Sequence, residues 1–224
     1  MKDFRYIKNG ILEDEEQEML SQKKVAVIGC GGLGGYIIEM LARLGVGHLV
    51  LCDGDSFEES NLNRQLYSLE TNQGSNKALE AAKRILDVNC HVRMTVFDEN
   101  LTEKNARSII EGCDLVVDAL DSPKTKVLLE EYCEGEQIPM VHGAISGWFG
   151  QVCSIFPGEK TLAKFYDGKL DEIDADGNPA FTPALVASLE VSEALKILLG
   201  KGEITSGKMS LIDLYFNEIK TVEV

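Results

Sequence analysis

Six residues, Gly29-Cys30-Gly31-Gly32-Leu33-Gly34, spell G-x-G-x-x-G between an apolar run (KVAVIG, 24–29) and an amphipathic stretch. Glycines in such a loop let the backbone turn tightly and approach a phosphate. The helix that follows supplies unpaired N–H groups and a positive dipole end. Asp53 closes a second apolar run, HLVLCD (48–53), nineteen residues after Gly34. A carboxylate there is placed to accept hydrogen bonds from a ribose hydroxyl. The two features point to a nucleotide without saying which one. Asn61-Leu62-Asn63-Arg64-Gln65 comes next, and Lys77 follows Arg64 by thirteen residues. An Arg and a Lys near the glycine loop suit a triphosphate, whose charge needs compensation in the transition state. Asp121 ends a later apolar run and is a natural Mg²⁺ ligand beside phosphates. Asp118, three residues earlier, reads as a strand-end acid.

These residues need a frame that brings them together. Short apolar runs at 24–29, 48–53, 91–97, 114–120 and 139–145 alternate with amphipathic stretches at 35–44, 75–88, 102–111 and 124–133. Near-continuous Val/Ile/Leu strands separated by helices predict a doubly wound, mostly parallel sheet covered on both faces, a Rossmann-like α/β fold. The tail differs. Runs at 151–156, 208–213 and 218–223 lack crossover helices and predict antiparallel additions to the sheet. Residues 157–180, rich in Gly, Pro and acids, read as a long functional loop. Thr182 is expected to cap a late helix, with Pro183 in its first turn and Gly200 after its end.

The whole chain narrows the function further. With 224 residues, one domain spanning 1–224 is expected, with a nucleotide-binding half (1–135) and a second half (136–224). The 22 basic residues against 37 acidic ones give a net charge of −15, which disfavours nucleic acid and anionic lipid as partners. No apolar run approaches the ~20 residues of a membrane span. The polar, acidic N-terminus does not resemble a signal peptide, so a cytoplasmic setting is expected. Six cysteines, at 30, 52, 90, 113, 133 and 153, form no C-x-x-C pair. Buried free thiols are therefore expected rather than zinc or disulfides. Trp148 and Phe149 read as a buried aromatic cluster in preference to the lining of a partner's binding groove, and His142 as a strand-end histidine.

GCGGLG, LCDGDSFEESNLNRQ (51–65), Lys77 and DALDS (118–122) together resemble the ThiF/MoeB/HesA family, the bacterial relatives of ubiquitin-activating enzymes. The resemblance runs from Arg5-Tyr6 to the last strands. It implies an enzyme that adenylates the C-terminal Gly-Gly carboxylate of a small ubiquitin-like sulfur-carrier protein. In that scheme Gly31, Gly32 and Gly34, with Gly29 and Leu33, shape the ATP loop. Asp53 holds the ribose, and Asn61, Arg64 and Lys77 contact phosphates. Asp121 binds Mg²⁺, and Asp55, Asn63, Gln65 and Leu120 complete the nucleotide's surroundings. The family further implies a homodimer. Many members also place an arginine from the N-terminus into the partner's ATP site, and this chain offers Lys8 there, a charge without bidentate geometry. Many members carry zinc-binding C-x-x-C pairs, and some a cysteine in the loop before the late helix. This chain has neither, so no zinc is expected and the reaction is expected to end at the adenylate, with sulfur arriving from a separate donor.

Other readings remain. A tRNA-modifying dehydratase shares the glycine loop and the N-x-N-R-Q segment. An NAD-dependent oxidoreductase would explain the glycine loop and Asp53 but leaves Arg64 and Lys77 without work. A degenerate nucleotide-binding subunit would not need the intact acids and bases.

Overall fold

Burial on both sides explains the centre of the molecule. In the computed structural model, which describes residues 3–167 and 177–224, Val25, Ala26, Val27 and Ile28 are all fully buried. That is the pattern of a strand covered on both faces, where each buried Val or Ile side chain contributes roughly 1.5–3 kcal/mol.

After a 3₁₀ turn (Phe4–Tyr6) comes α1 (Asp14–Gln22), which the sequence reading did not anticipate. The expected alternation follows as β1 (Lys24–Ile28), α2 (Gly32–Leu44), β2 (His48–Cys52), α3 (Lys77–Val88), β3 (Arg93–Phe97), α4 (Ala106–Ile110), β4 (Leu115–Asp118), α5 (Pro123–Glu136) and β5 (Met140–Ser146). The tail contributes β6 (Phe149–Ile155), α6 (Thr161–Tyr166), α7 (Phe181–Leu199), β7 (Lys208–Asp213) and β8 (Glu218–Glu223).

The strands form one sheet in the order β3-β2-β1-β4-β5-β6-β7-β8. The first five are parallel, and β6, β7 and β8 add antiparallel, as expected. One face is covered by α2, α3 and α7, through Ile37, Ile85 and Val186 among others. The other is covered by α4, α5 and α6, through Ile109, Leu129 and Leu162. Two glycines let α7 lie close: a Cβ at Gly150 would come within 2.3 Å of Val186, and one at Gly143 equally close to the Glu190 carboxyl. Every residue of the edge strand β8 is exposed, and Glu218, Lys220 and Glu223 guard it against pairing with other chains.

Several expectations need correction. The segment 157–180 is not all loop: Thr161–Tyr166 forms α6, tied to α5 by Glu130, whose carboxylate accepts from the Leu162 and Ala163 amides at 2.8 and 2.9 Å. Residues 168–176 of that stretch lie outside the described residues. Thr182 does not cap α7. It sits inside the helix, and its hydroxyl donates to the Gly147 carbonyl at 2.7 Å, because the β5–β6 hairpin passes close by. Gly200 does end α7, in the left-handed conformation. Trp148 and Phe149 are not buried: they are 45% and 53% exposed. Gly147 and Trp148 form the two-residue tip of that hairpin, with Gly147 at φ +58°, so the tryptophan projects beyond the sheet. Of the six thiols, five are buried and Cys90 is exposed.

Candidate nucleotide site

The strand order makes its own crevice. From β1 the chain moves outward to β2 and β3, then returns to place β4 on the other side of β1. The carboxyl ends of β1 and β4 therefore face a gap between connections that diverge, where α/β sheets bind ligands. The two loops leaving those ends touch. Gly29 has φ +97°, and a Cβ there would meet the Ala119 carbonyl oxygen at 2.5 Å. Gly34, in the first turn of α2, is equally constrained: its Cβ would fall 1.9 Å from the Gly29 carbonyl oxygen. By contrast, a Cβ at Gly31 would meet nothing closer than the Gln65 side chain, 3.5 Å away. Gly29 and Gly34 thus keep the turn tight, and the backbone between them lies bare toward the gap.

Gly29, Gly31, Gly32, Leu33, Asp53, Asp55, Arg64, Gln65, Lys77, Leu120 and Asp121 all line this one cleft. Asn100, Leu101, Ala119 and Ile145 line it too. Those four follow the ends of β3 and β4 or lie near the end of β5, so the strand-end rule applied to every strand would have found them.

Asp53 is held by what surrounds it. Its Oδ2 accepts from the Cys30 amide at 2.7 Å and its Oδ1 from the Asp55 amide at 2.8 Å. Burial raises its pKa, and those two amide hydrogen bonds oppose the rise. An ionised carboxylate offers about four lone-pair sites, so ribose hydroxyls can still be accepted. Lys77 opens α3, where Asn76 caps the helix by accepting from the Leu79 amide at 3.0 Å. The Asn76 amide also donates to the Asp53 carbonyl at 2.9 Å, an anchoring role the sequence reading missed. Lys77 Nζ rests on Asp55 Oδ2 at 2.9 Å.

Arg64 donates to the Ser60 carbonyl (3.0 Å) and to Asn63 Oδ1 (2.8 Å). Asn61 lies outside the cleft lining. It is buried in the 3₁₀ turn Glu59–Asn61, where its Oδ1 accepts from the Glu58 amide at 3.1 Å. Asn63 points elsewhere too, donating to the Asn178 carbonyl at 3.1 Å. Lys8, exposed beyond the first 3₁₀ turn, is not among the lining residues.

The donor set fits a nucleoside triphosphate. A glycine turn lies bare at a helix N-terminus, and two cations, Arg64 and Lys77, line the same cleft. Gln65 Oε1, beside Gly31, is buried with no donor from the protein, and a hydroxyl of the nucleoside, not a phosphate, would suit it. Among the described residues no three of His, Cys, Asp and Glu converge into a metal cage. A Mg²⁺ ion here would rest on Asp121 and the nucleotide's own oxygens, as this hard cation commonly does. It would neutralise charge on the phosphates.

Comparison with known proteins agrees with this geometry. The chain is 33% identical to the SAMP-activating enzyme E1 of Haloferax volcanii, over 97% of its own length and 84% of the relative's. It is 34% identical to the sulfur carrier protein adenylyltransferase of Thermus thermophilus, over 89% and 78% of the two chains. Among solved structures, Escherichia coli MccB with ATP superposes with a TM-score of 0.84 at 20% identity, covering 99% of this chain and 72% of MccB. The E. coli tRNA N6-threonylcarbamoyladenosine dehydratase TcdA superposes at 0.75 with 26% identity, covering 88% and 94%. The sequence profile of the ThiF family matches residues 5–224, and the chain belongs to that family.

Proposed function

We propose that this protein uses ATP to adenylate the C-terminal carboxylate of a small ubiquitin-like sulfur-carrier protein, releasing pyrophosphate. The observation that carries this reading is the convergence of the bare glycine turn, Arg64, Lys77 and Asp121 in one cleft. The chain housing that cleft is a third identical to an E1 and to a sulfur-carrier adenylyltransferase.

A carboxylate oxygen of the carrier attacks the α-phosphorus of ATP. The new P–O bond forms as the bond to the pyrophosphate oxygen breaks, and the electron pair leaves with pyrophosphate. No nucleophile from the enzyme is needed, so catalysis rests on orientation and charge compensation. The α2 amides cradle phosphate, Asp53 orients the ribose, and Arg64 and Lys77 balance the charge that builds on the leaving pyrophosphate. Lys77 is released from Asp55 as phosphate oxygens replace that carboxylate. Asn61 fixes the turn that carries Arg64. Asp121 holds Mg²⁺.

In this reading residues 1–135 bind the nucleotide and 136–224 receive the carrier. Trp148 supports the second role. It packs on Phe181 (centroids 4.8 Å apart) and Tyr215 (5.6 Å), with Phe216 edge-on to Tyr215 beyond, all exposed next to the hairpin whose strand β5 brings Ile145 to the cleft. Exposed aromatic clusters of this kind mark protein-docking surfaces. The reading includes a homodimer in which Lys8, which does not line its own cleft, serves the partner's, and a cytoplasmic setting. With no cysteine between 157 and 182, the reaction ends at the adenylate.

ATP–pyrophosphate exchange tests the proposal. Candidate carriers are added singly, with and without the terminal Gly-Gly. Exchange should require the intact carrier terminus and Mg²⁺, and should vanish in Asp121→Ala and Arg64→Ala while both variants stay folded. Undiminished exchange in both variants would sink the site assignment. A second reading follows from the likeness to TcdA: activation of a carboxylate on tRNA adenosine. The net charge of −15 opposes it, and tight tRNA binding that weakens steeply with salt would establish it.

A further inference from the structure

On the α5 side of the sheet, directly behind the cleft, lies a buried polar chain that the adenylation scheme leaves unused. Asp118 ends β4 and is fully buried, and its register partner on β5 is His142, also fully buried. Lys126 reaches in from α5, itself only 2% exposed. Its ammonium donates to Asp118 Oδ2 (2.9 Å) and to the Gly143 carbonyl (2.9 Å), joining the end of β4 to the middle of β5. His142 Nδ1 lies 2.7 Å from the same Asp118 oxygen. An ionised carboxylate only accepts, so Nδ1 carries the proton. Nε2 is then the acceptor, and it takes the Gln151 side-chain amide at 3.1 Å.

The remaining oxygen, Asp118 Oδ1, accepts from the Leu120 amide at 3.0 Å. Leu120 is the residue before Asp121, and Ala119, Leu120 and Asp121 all line the cleft. The carboxylate therefore has two sides. One is gripped by Lys126 and His142 inside the core, and the other grips the turn that presents Asp121. An ion pair this buried returns little net stability compared with apolar side chains of similar volume. Its geometry points instead to the turn.

We infer that Asp118, held by Lys126 and His142, is a positioning residue that fixes the Ala119–Asp121 turn so that Asp121 faces the nucleotide. This deepens the adenylation reading and, for its kinetic test, rests on it. Asp118→Leu/Lys126→Met removes both charges together and takes away the acceptor for Leu120. The double variant should unfold cooperatively. Its kcat for ATP–pyrophosphate exchange should fall at least about tenfold while the carrier's KM changes by less than about twofold, because the turn and not the docking surface has moved. Lys126→Arg retains donors for both Asp118 and Gly143 and should keep kcat within about threefold of the parent. A folded double variant with undiminished kcat would overturn the inference.

Should the double variant fail to fold, the unaltered chain decides. Leu120 amide hydrogen exchange, measured without ATP or carrier, should be slowed at least about a hundredfold relative to an unstructured peptide. Exchange at the unstructured rate would also overturn the inference. That measurement involves no adenylation, so it stands or falls separately from the function proposed above.

Discussion

Replacing Gly34 by Ala adds one methyl group where the structure has no room for it. The new Cβ would lie 1.9 Å from the Gly29 carbonyl oxygen and 2.7 Å from its carbon, against a practical minimum of 3.0 Å. Both are backbone atoms and cannot rotate away, so the β1–α2 turn must retreat by about 1 Å. Overpacking of this kind costs about 1–3 kcal/mol, and for a chain of this size each kcal/mol moves Tm by about 2–4 °C. A loss of roughly 2–12 °C follows by that scaling. The retreat also carries the phosphate-facing amides with it, and a displacement near 1 Å can cost on the order of a hundredfold in rate. Gly135→Ala is the control. Gly135 lies in α5 with nothing within 4 Å of its added Cβ, so the same chemical change there should stabilise by up to ~1 kcal/mol. If the reasoning holds, Tm moves in opposite directions in the two variants, and the kinetics with ATP worsen in Gly34→Ala alone. Equal Tm values and unchanged ATP kinetics in Gly34→Ala would refute it.

Two further predictions concern other parts of the molecule. Glu190 is fully buried with neither carboxyl oxygen partnered, and burial raises its pKa well above the usual range. The native state thus keeps a proton that the unfolded chain gives up. Stability from this group is complete below the unfolded pKa and is lost as pH rises toward the folded value, at up to about 1.4 kcal/mol per pH unit. Glu190→Gln cannot titrate, so its stability relative to the parent should climb between pH 5 and 8 in urea unfolding; a constant difference would show that Glu190 is not held protonated. Trp148→Ala, which trims the exposed aromatic cluster, should weaken carrier binding by about 2 kcal/mol and leave the KM for ATP unchanged, and calorimetric titration with unaltered carrier affinity would count against the docking surface.

Much of the frame was legible because its signals are local. Strands such as Val25–Ile28 advertise two-sided burial through composition alone. Gly29, Asp53, Leu120 and Asp121 lie near strand carboxyl ends, which in this fold converge by rule. What escaped depends on register and on contacts distant in sequence. Asp118 looked like a plain strand-end acid because nothing local announces that β4–β5 pairing sets it against His142, or that α5 brings Lys126 over both. Trp148 looked like core because tryptophans are usually buried on average. Its exposure is decided by Gly147, which closes the hairpin in two residues and leaves the ring at the tip. Thr182 had the right residue type for a cap but was claimed by a carbonyl of that hairpin. The resemblance put Asn61 on phosphate and Asn63 beside the nucleotide, yet Asn61 Oδ1 accepts from the Glu58 amide in its own turn and Asn63 donates across to the Asn178 carbonyl.

The distribution of thiols has a practical consequence. Cys30, Cys52, Cys113, Cys133 and Cys153 are buried, spread over both faces of the sheet, and burial pushes every one of their pKa values upward. Thiolates are the reactive form, so these five are silent toward alkylating reagents while the chain is folded, and Cys90 alone among the six answers at once. The molecule thus carries its own chronometer. A first rapid modification titrates folded molecules, and the slow appearance of five more reports the opening of both cores. The lifetime of the native state can be read by mass spectrometry with no label engineered into the chain.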